Sequence, residues 1–212
     1  MSRRHAADTT DANRSEIVRN RFYGAAMSTQ QSALLVVDVQ QGNTGEAWQR
    51  DAVIGRIRGL IDQAKSADVP VLWIQHEAGP FTPGSDAWQI AEEVRPADGE
   101  TVIGKHYLDA FVETPLRKEL DALGVKHLVI CGAATDACIR STTARAQIEG
   151  YDVTLVSDGH TTDEGPWPLP LPDGTEVPVG AQQMIAFTNF FVADTEYPGS
   201  TTKVVPASEV TF

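Results

Sequence analysis

From Ala33 onward the chain alternates continuous apolar runs with segments of helical periodicity, and few folds accommodate that order. Ala33-Leu34-Leu35-Val36-Val37 is apolar at every position and stops at Asp38. A strand without polar alternation is one covered on both faces. Residues 53–67 place Val53, Ile54, Ile57, Leu60, Ile61 and Ala64 on one stripe of a helix. A second strand follows over 69–75, with Pro70 at its start, where a missing N–H donor is tolerated. A short third strand covers 101–104, and a helix over about 114–123 closes at Gly124. Strand 127–132, helix 137–149, strand 152–156, a helix over about 181–192 and a last short strand at 203–206 complete the series. Repeated strand–helix units predict one parallel sheet with helices on both faces. Ligands of such a sheet gather beyond the carboxyl ends of its strands.

One of those ends carries a nucleophile. In Val129-Ile130-Cys131-Gly132-Ala133-Ala134-Thr135-Asp136-Ala137-Cys138 the buried strand stops at Gly132, crosses a turn of small residues and enters a helix. With Thr135 as N-cap, Cys138 is the third helical residue, beside unpaired N–H groups and the positive end of the helix dipole. That surrounding favours thiolate, the nucleophilic form.

Composition limits what the nucleophile serves. The 212 residues suit one domain with an ample core, and no apolar run approaches the ~20 residues of a membrane span. A formal net charge of -12 argues against nucleic acid or an anionic membrane as partner. Five arginines fall in residues 1–27 against Asp8, Asp11 and Glu16, so the acidic balance belongs to the remainder. Residues 1–27 are polar and aperiodic and lack the apolar core of a secretory signal; they are expected to be a disordered extension to a domain over 28–212. Two cysteines, Cys131 and Cys138, too close across a turn for a structural disulfide, suit a cytoplasmic protein. The stretches 78–84 and 165–180, rich in Pro and Gly, read as long loops.

Asp38 ends strand one, Lys105 follows strand three and Cys138 follows strand four. A carboxylate, an ammonium and a thiol at one sheet edge form a working set: Lys105 would stabilise the thiolate, and Asp38 would take the thiol proton and return it to a leaving amine. Each has a plain alternative, as helix cap, solvated charge and inert packing respectively. The three together at one edge point to chemistry.

The blocks Leu34-Leu35-Val36-Val37-Asp38-Val39-Gln40, Val102-Ile103-Gly104-Lys105 and Gly132-Ala133-Ala134-Thr135-Asp136-Ala137-Cys138 resemble the isochorismatase-like cysteine hydrolases over about residues 32–212. The resemblance implies a single-domain three-layer α/β/α sandwich whose six-stranded parallel sheet has the order 3-2-1-4-5-6. It implies a catalytic triad of Asp38, Lys105 and Cys138, a cis peptide at Ala133–Ala134, and an oxyanion hole from the backbone N–H groups of Ala134 and Cys138. Isochorismatases proper lack the cysteine, so Cys138 places the chain with the amide-hydrolysing branch. The implied reaction cleaves a C–N bond of a small molecule through a thioester. Nicotinamidases of that branch bind a metal through an Asp-x-His pair, which is missing here, so no metal and no cofactor are expected. His76, beside Glu77, is the residue that would revive a metal-assisted amidase.

His76, Trp88, Phe111 and Trp167 are candidate substrate-binding residues, with Trp48 and Phe81 in nearby loops. Phe111 occupies a position whose aromatic, in the family pattern, faces the substrate. The segment 163–180, with five prolines, is either a lid or a subunit contact. The expected partners are a small-molecule amide and further copies of the chain, as dimer or tetramer. A redox-responsive thiol protein and a silent binding protein on the same scaffold are the competing classes, and neither has a use for Asp38 and Lys105.

Overall fold

The structure is a computed structural model that describes residues 31–212; the extension expected over 1–27 lies outside them. The strands are β1 (Ser32–Val37), β2 (Val71–His76), β3 (Thr101–Lys105), β4 (His127–Ala133), β5 (Asp152–Thr161), β6 (Trp167–Pro170), β7 (Glu176–Val179) and β8 (Thr202–Val205). The α-helices are α1 (Gln41–Thr44), α2 (Arg50–Ser66), α3 (Leu116–Ala122), α4 (Arg140–Ile148) and α5 (Ala181–Asp194). Six strands form one sheet in the order β3-β2-β1-β4-β5-β8, every pairing parallel. This is the expected order, with β8 as the sixth strand because a separate hairpin supplies β6 and β7.

The unbroken apolar character of β1 has its cause here, since alternate residues feed two cores. Leu34 and Val36 pack with Val53, Ile57 and Leu60 of α2. Leu35 and Val37 pack with Leu116 and Leu120 of α3, Ala146 of α4 and Val192 of α5. The two cysteines divide in the same way: Cys131 lies in the α2-side core and Cys138 in the other. Each large side chain so buried stabilises the fold by about 1.5–3 kcal/mol.

Two features depart from the sequence expectation. β5 does not end at Val156. It bulges: Ile130 of β4 stands opposite Leu155, yet Gly132, two residues on, stands opposite His160, five residues on. A Cβ on Gly159 would meet the Val156 side chain at 2.7 Å, so the bulge needs glycine there. Asp158 clamps it, accepting from the Ala207 N–H at 2.7 Å and pairing with Arg56 at 3.1 Å. The second departure is in 163–180, which is no open loop: Trp167–Pro170 pairs antiparallel with Glu176–Val179. Leu171 N–H donates to Thr175 O at 2.7 Å, which sets the hydrogen-bonded pairs at Leu169–Val177 and Trp167–Val179. Pro168, Pro170 and Pro178 therefore fall at pairs that need no N–H.

The outer side of α5 leaves Phe187 and Phe190 about half exposed, at 55% and 51%. No helix among the described residues is long and apolar enough to cross a membrane.

Candidate active site

The carboxyl end of the sheet is built on a close approach of β1 and β4. Gly132 (φ 129°) lies against Val37, and a Cβ there would sit 1.9 Å from the Val37 carbonyl oxygen. Only glycine lets β4 run that close and deliver the following turn over the end of β1. Asp38, the next residue of β1, is left-handed at φ 48°, a conformation that costs a non-glycine residue about 1 kcal/mol and concentrates at functional sites. The Ala133–Ala134 peptide is cis.

The turn carrying Cys138 differs from the expected cap. Residues Thr135–Ile139 form a π-helical turn that runs on into α4, and Cys138 is its fourth residue. Thr135 does not cap it, because its hydroxyl is engaged by His160 Nδ1 at 2.9 Å.

Asp38, Lys105 and Cys138 lie together. Lys105 Nζ is 2.7 Å from Asp38 Oδ2 and 3.3 Å from Cys138 Sγ. The Asp38 contact is an ion pair without regular hydrogen-bond geometry, and both carboxylate oxygens are buried. Lys105 also donates to Tyr107 O at 2.9 Å and meets His76 Nδ1 at 3.0 Å. Three ammonium protons thus serve four acceptors. Asp38 and Lys105 have no exposure, while Cys138 keeps 5%. Cys138 is thus the one of the three with any exposure.

Burial sets the protonation states. It pushes the Cys138 thiol up to about 12, with the Asp38 charge adding to it and Lys105 opposing. The resting sulfur is a thiol, contrary to the thiolate expected from a helix start: desolvation and a neighbouring carboxylate outweigh the ammonium. Burial also raises the Asp38 carboxyl above the usual carboxylate range, against the pull of Lys105. His76 is lowered to about 4 by burial and by Lys105, so its ring is neutral, with Nδ1 accepting from the ammonium and the proton on Nε2. Moving a proton from Cys138 to Asp38 leaves the enclosed net charge unchanged, so the low dielectric does not oppose it.

Asp38, His76 and Cys138 also offer ligand atoms within 4.8 Å of one another, the spacing of a metal site. The donor set does not fit a dication as it stands, because the Lys105 ammonium lies within 3.3 Å of all three ligand atoms. Like charges that close in a buried cluster repel strongly.

The softer candidates separate. His76 joins the cluster through Lys105. Trp88 is linked to it only through Gln40: its carbonyl accepts from Gln40 Nε2 and from Gln75 Nε2, both at 2.8 Å, and its buried Nε1 has no hydrogen-bond partner. Phe111 is packed into the core instead, its ring 5.8 Å from that of Tyr151. Trp167 opens the hairpin and packs against Gly165. Phe81 stands edge-on to His76 at 5.5 Å. A cleft of about 780 Å³ runs between Gln41, Gly42 and Glu46 on one side and Asp163 and Glu164 on the other, and Asp38, Lys105 and Cys138 do not line it.

Gln40 was not singled out from sequence as a site residue. Fully buried, its side chain donates to His76 O at 3.0 Å and accepts from His76 N–H at 2.8 Å. A long amide directly after a buried strand and its terminal Asp was the available signal.

Comparison with known proteins places the chain in a family. The Isochorismatase domain model matches residues 32–165. A streptothricin hydrolase from Streptomyces noursei is 36% identical over 140 residues, covering 63% of this chain and 51% of that protein. The chain thus spans about half the length of that relative. A ureidoacrylate amidohydrolase from Klebsiella pneumoniae is 26% identical over 159 residues, covering 55% of this chain and 67% of that one. Among solved structures, an isochorismatase from Pseudomonas putida superposes with a TM-score of 0.74 at 26% identity, covering 92% of this chain and 96% of that one.

Proposed function

This chain belongs to the isochorismatase family, and from that membership we propose that it is a hydrolase cleaving a C–N bond of a small amide through a thioester on Cys138. The observation that carries the reading is the contact of one buried ammonium, Lys105 Nζ, with both Asp38 and Cys138. Relatives named as streptothricin hydrolase and ureidoacrylate amidohydrolase support the bond type.

In the proposed cycle Asp38 takes the Cys138 proton as the sulfur attacks the amide carbonyl. Lys105 holds the resulting thiolate, and the backbone N–H groups of Ala134 and Cys138 receive the oxyanion. The tetrahedral intermediate collapses, the C–N bond breaks, and Asp38 returns its proton to the leaving nitrogen. Water, deprotonated by Asp38, then hydrolyses the thioester and restores the thiol. His76 orients Lys105, and Trp88 Nε1 offers the substrate a donor. Copies of the chain associate through the charge-free outer face of α5 at Phe187 and Phe190, and light scattering of the Phe190→Glu protein tests that contact.

The test of the reaction is a panel of small amides assayed for released ammonia or amine, with Cys138→Ala as control. Mass spectrometry of the quenched wild-type protein is expected to find substrate acyl on Cys138. Turnover by Cys138→Ala at the wild-type rate would overturn the proposal.

A further inference from the structure

The mechanism leaves unused a buried titratable group that touches the turn bearing Cys138. His160 is fully enclosed at the end of the β5 bulge, opposite Gly132. Its Nδ1 is 2.9 Å from Thr135 Oγ1 and its Nε2 is 2.9 Å from Asn189 Oδ1 of α5. The direction of this chain is determined. Asn189 Nδ2 donates to Ser157 O at 2.9 Å, so its oxygen is the atom facing His160. Nε2 therefore carries the imidazole proton, Nδ1 is an acceptor, and the Thr135 hydroxyl donates to it. Burial holds the ring neutral, lowering it to about 4, which keeps this single tautomer across the neutral range. The next residue of the turn is held from the same strand end, with Thr162 Oγ1 donating to Asp136 Oδ1 at 2.7 Å.

We infer that His160, with Asn189 behind it, is a positioning residue that holds Thr135 and through it the turn bearing Cys138 against Lys105. This rests on the reading of Cys138 as nucleophile. A π-helical turn lacks the regular bonds of an α-helix, and Thr135 has no capping role in it. Side-chain ties to β5 add to the bonds that the Ala137 and Ile139 N–H groups make to Ala134 O. They explain why β5 carries three residues more than its pairing with β4 requires: the bulge brings His160, Thr161 and Thr162 level with the turn. Loosening the tie lets the sulfur drift from the ammonium and makes the thiol harder to ionise.

The test is the rate of iodoacetamide labelling at Cys138 in the full chain at pH 9, read by peptide mass mapping. Thr135→Val, which removes the hydroxyl at nearly constant volume, and Asn189→Leu are each expected to slow labelling about tenfold, the scale of one lost buried hydrogen bond. Thr135→Ser restores the donor and is expected to return the rate to within about twofold of wild type. The double variant is expected to be no slower than the slower single one, since both act through the same imidazole. A Thr135→Val rate equal to wild type, a serine variant as slow as the valine one, or multiplicative losses in the double variant would overturn the inference. If Asn189→Leu does not fold, the Val and Ser variants decide alone. Labelling needs only a reactive thiol, whereas the proposed function fails separately, by an inert amide panel.

Discussion

Lys105 Nζ and Asp38 Oδ2 are 2.7 Å apart, and neither side chain has any exposure. Removing one partner of such a buried pair is costly, about 3–5 kcal/mol, because the other charge is left uncompensated. Asp38→Asn is therefore expected to lower the melting temperature. It should also split two activities that a structural role would move together. Amide hydrolysis falls at least ~100-fold with loss of the base. Labelling of Cys138 at pH 7 speeds up, because the carboxylate that opposes the thiolate is gone and the ammonium remains. Parallel loss of both in a folded variant would refute the proton path.

The pH dependence follows from the resting thiol. With burial pushing Cys138 up to about 12, its alkylation rate in the wild-type protein should keep rising beyond pH 9, where an ordinary thiol levels off. Cys131, fully buried with its thiol also pushed up by desolvation, should stay unlabelled in the native protein. A plateau at Cys138 below pH 8 would mean the thiolate is already formed at rest.

Hydrolysis should show an acid limb displaced upward from the ordinary aspartate range, because the base form of Asp38 is needed and its carboxyl is raised by burial. Stability runs the other way. A carboxyl raised in the folded state favours folding most fully below its unfolded pKa, and that contribution is lost as pH rises through the folded value. An acid limb of kcat/KM at or below pH 4 would contradict the assignment of Asp38.

Gly132→Ala should be among the most damaging single changes in the chain. Its Cβ would lie 1.9 Å from the Val37 carbonyl oxygen, a backbone atom that cannot swing aside, and its φ of 129° is itself strained for alanine. A loss above about 3 kcal/mol, or no folded protein, is expected in urea denaturation. A variant within about 1 kcal/mol of wild type would show that β1 and β4 separate readily.

Exhaustive chelation should leave turnover unchanged, since Lys105 occupies the middle of the Asp38, His76 and Cys138 donor set. Activity lost to a chelator and restored by zinc would move the chain to a metal-assisted amidase.

The sheet was legible because its central strands are short apolar runs, in which residues such as Leu34 and Leu35 are buried on opposite faces at once. The meeting of Asp38, Lys105 and Cys138 was legible because Lys105 ends β3, Asp38 follows β1 and Cys138 lies in the turn after β4, so the topology brings all three to one edge. His160 was not. The apolar pattern stops at Val156, Ser157-Asp158-Gly159 reads as a turn, and only pairing with β4 reveals a bulge that resumes the strand. The hairpin was overlooked because proline was weighed as a breaker. Its placement at every second residue from Pro166 to Pro172 instead marks the side of a ribbon where no donor is required. The contact of Phe111 with Tyr151 was not legible, because position after Lys105 does not determine which way an aromatic turns.

The division of the two cysteines between opposite faces of the sheet bears on how the protein withstands peroxide. Once Cys138 becomes a sulfenic acid it has no resolving thiol within its own chain, because Cys131 is sealed in the core on the far side and no third cysteine exists. Recovery then depends on a small external thiol reaching a residue that is only 5% exposed. Without one, the next step is the sulfinic acid, which is not reversed by thiols. The enclosure that buries the charged pair thus also leaves oxidative damage to Cys138 without an internal route of repair.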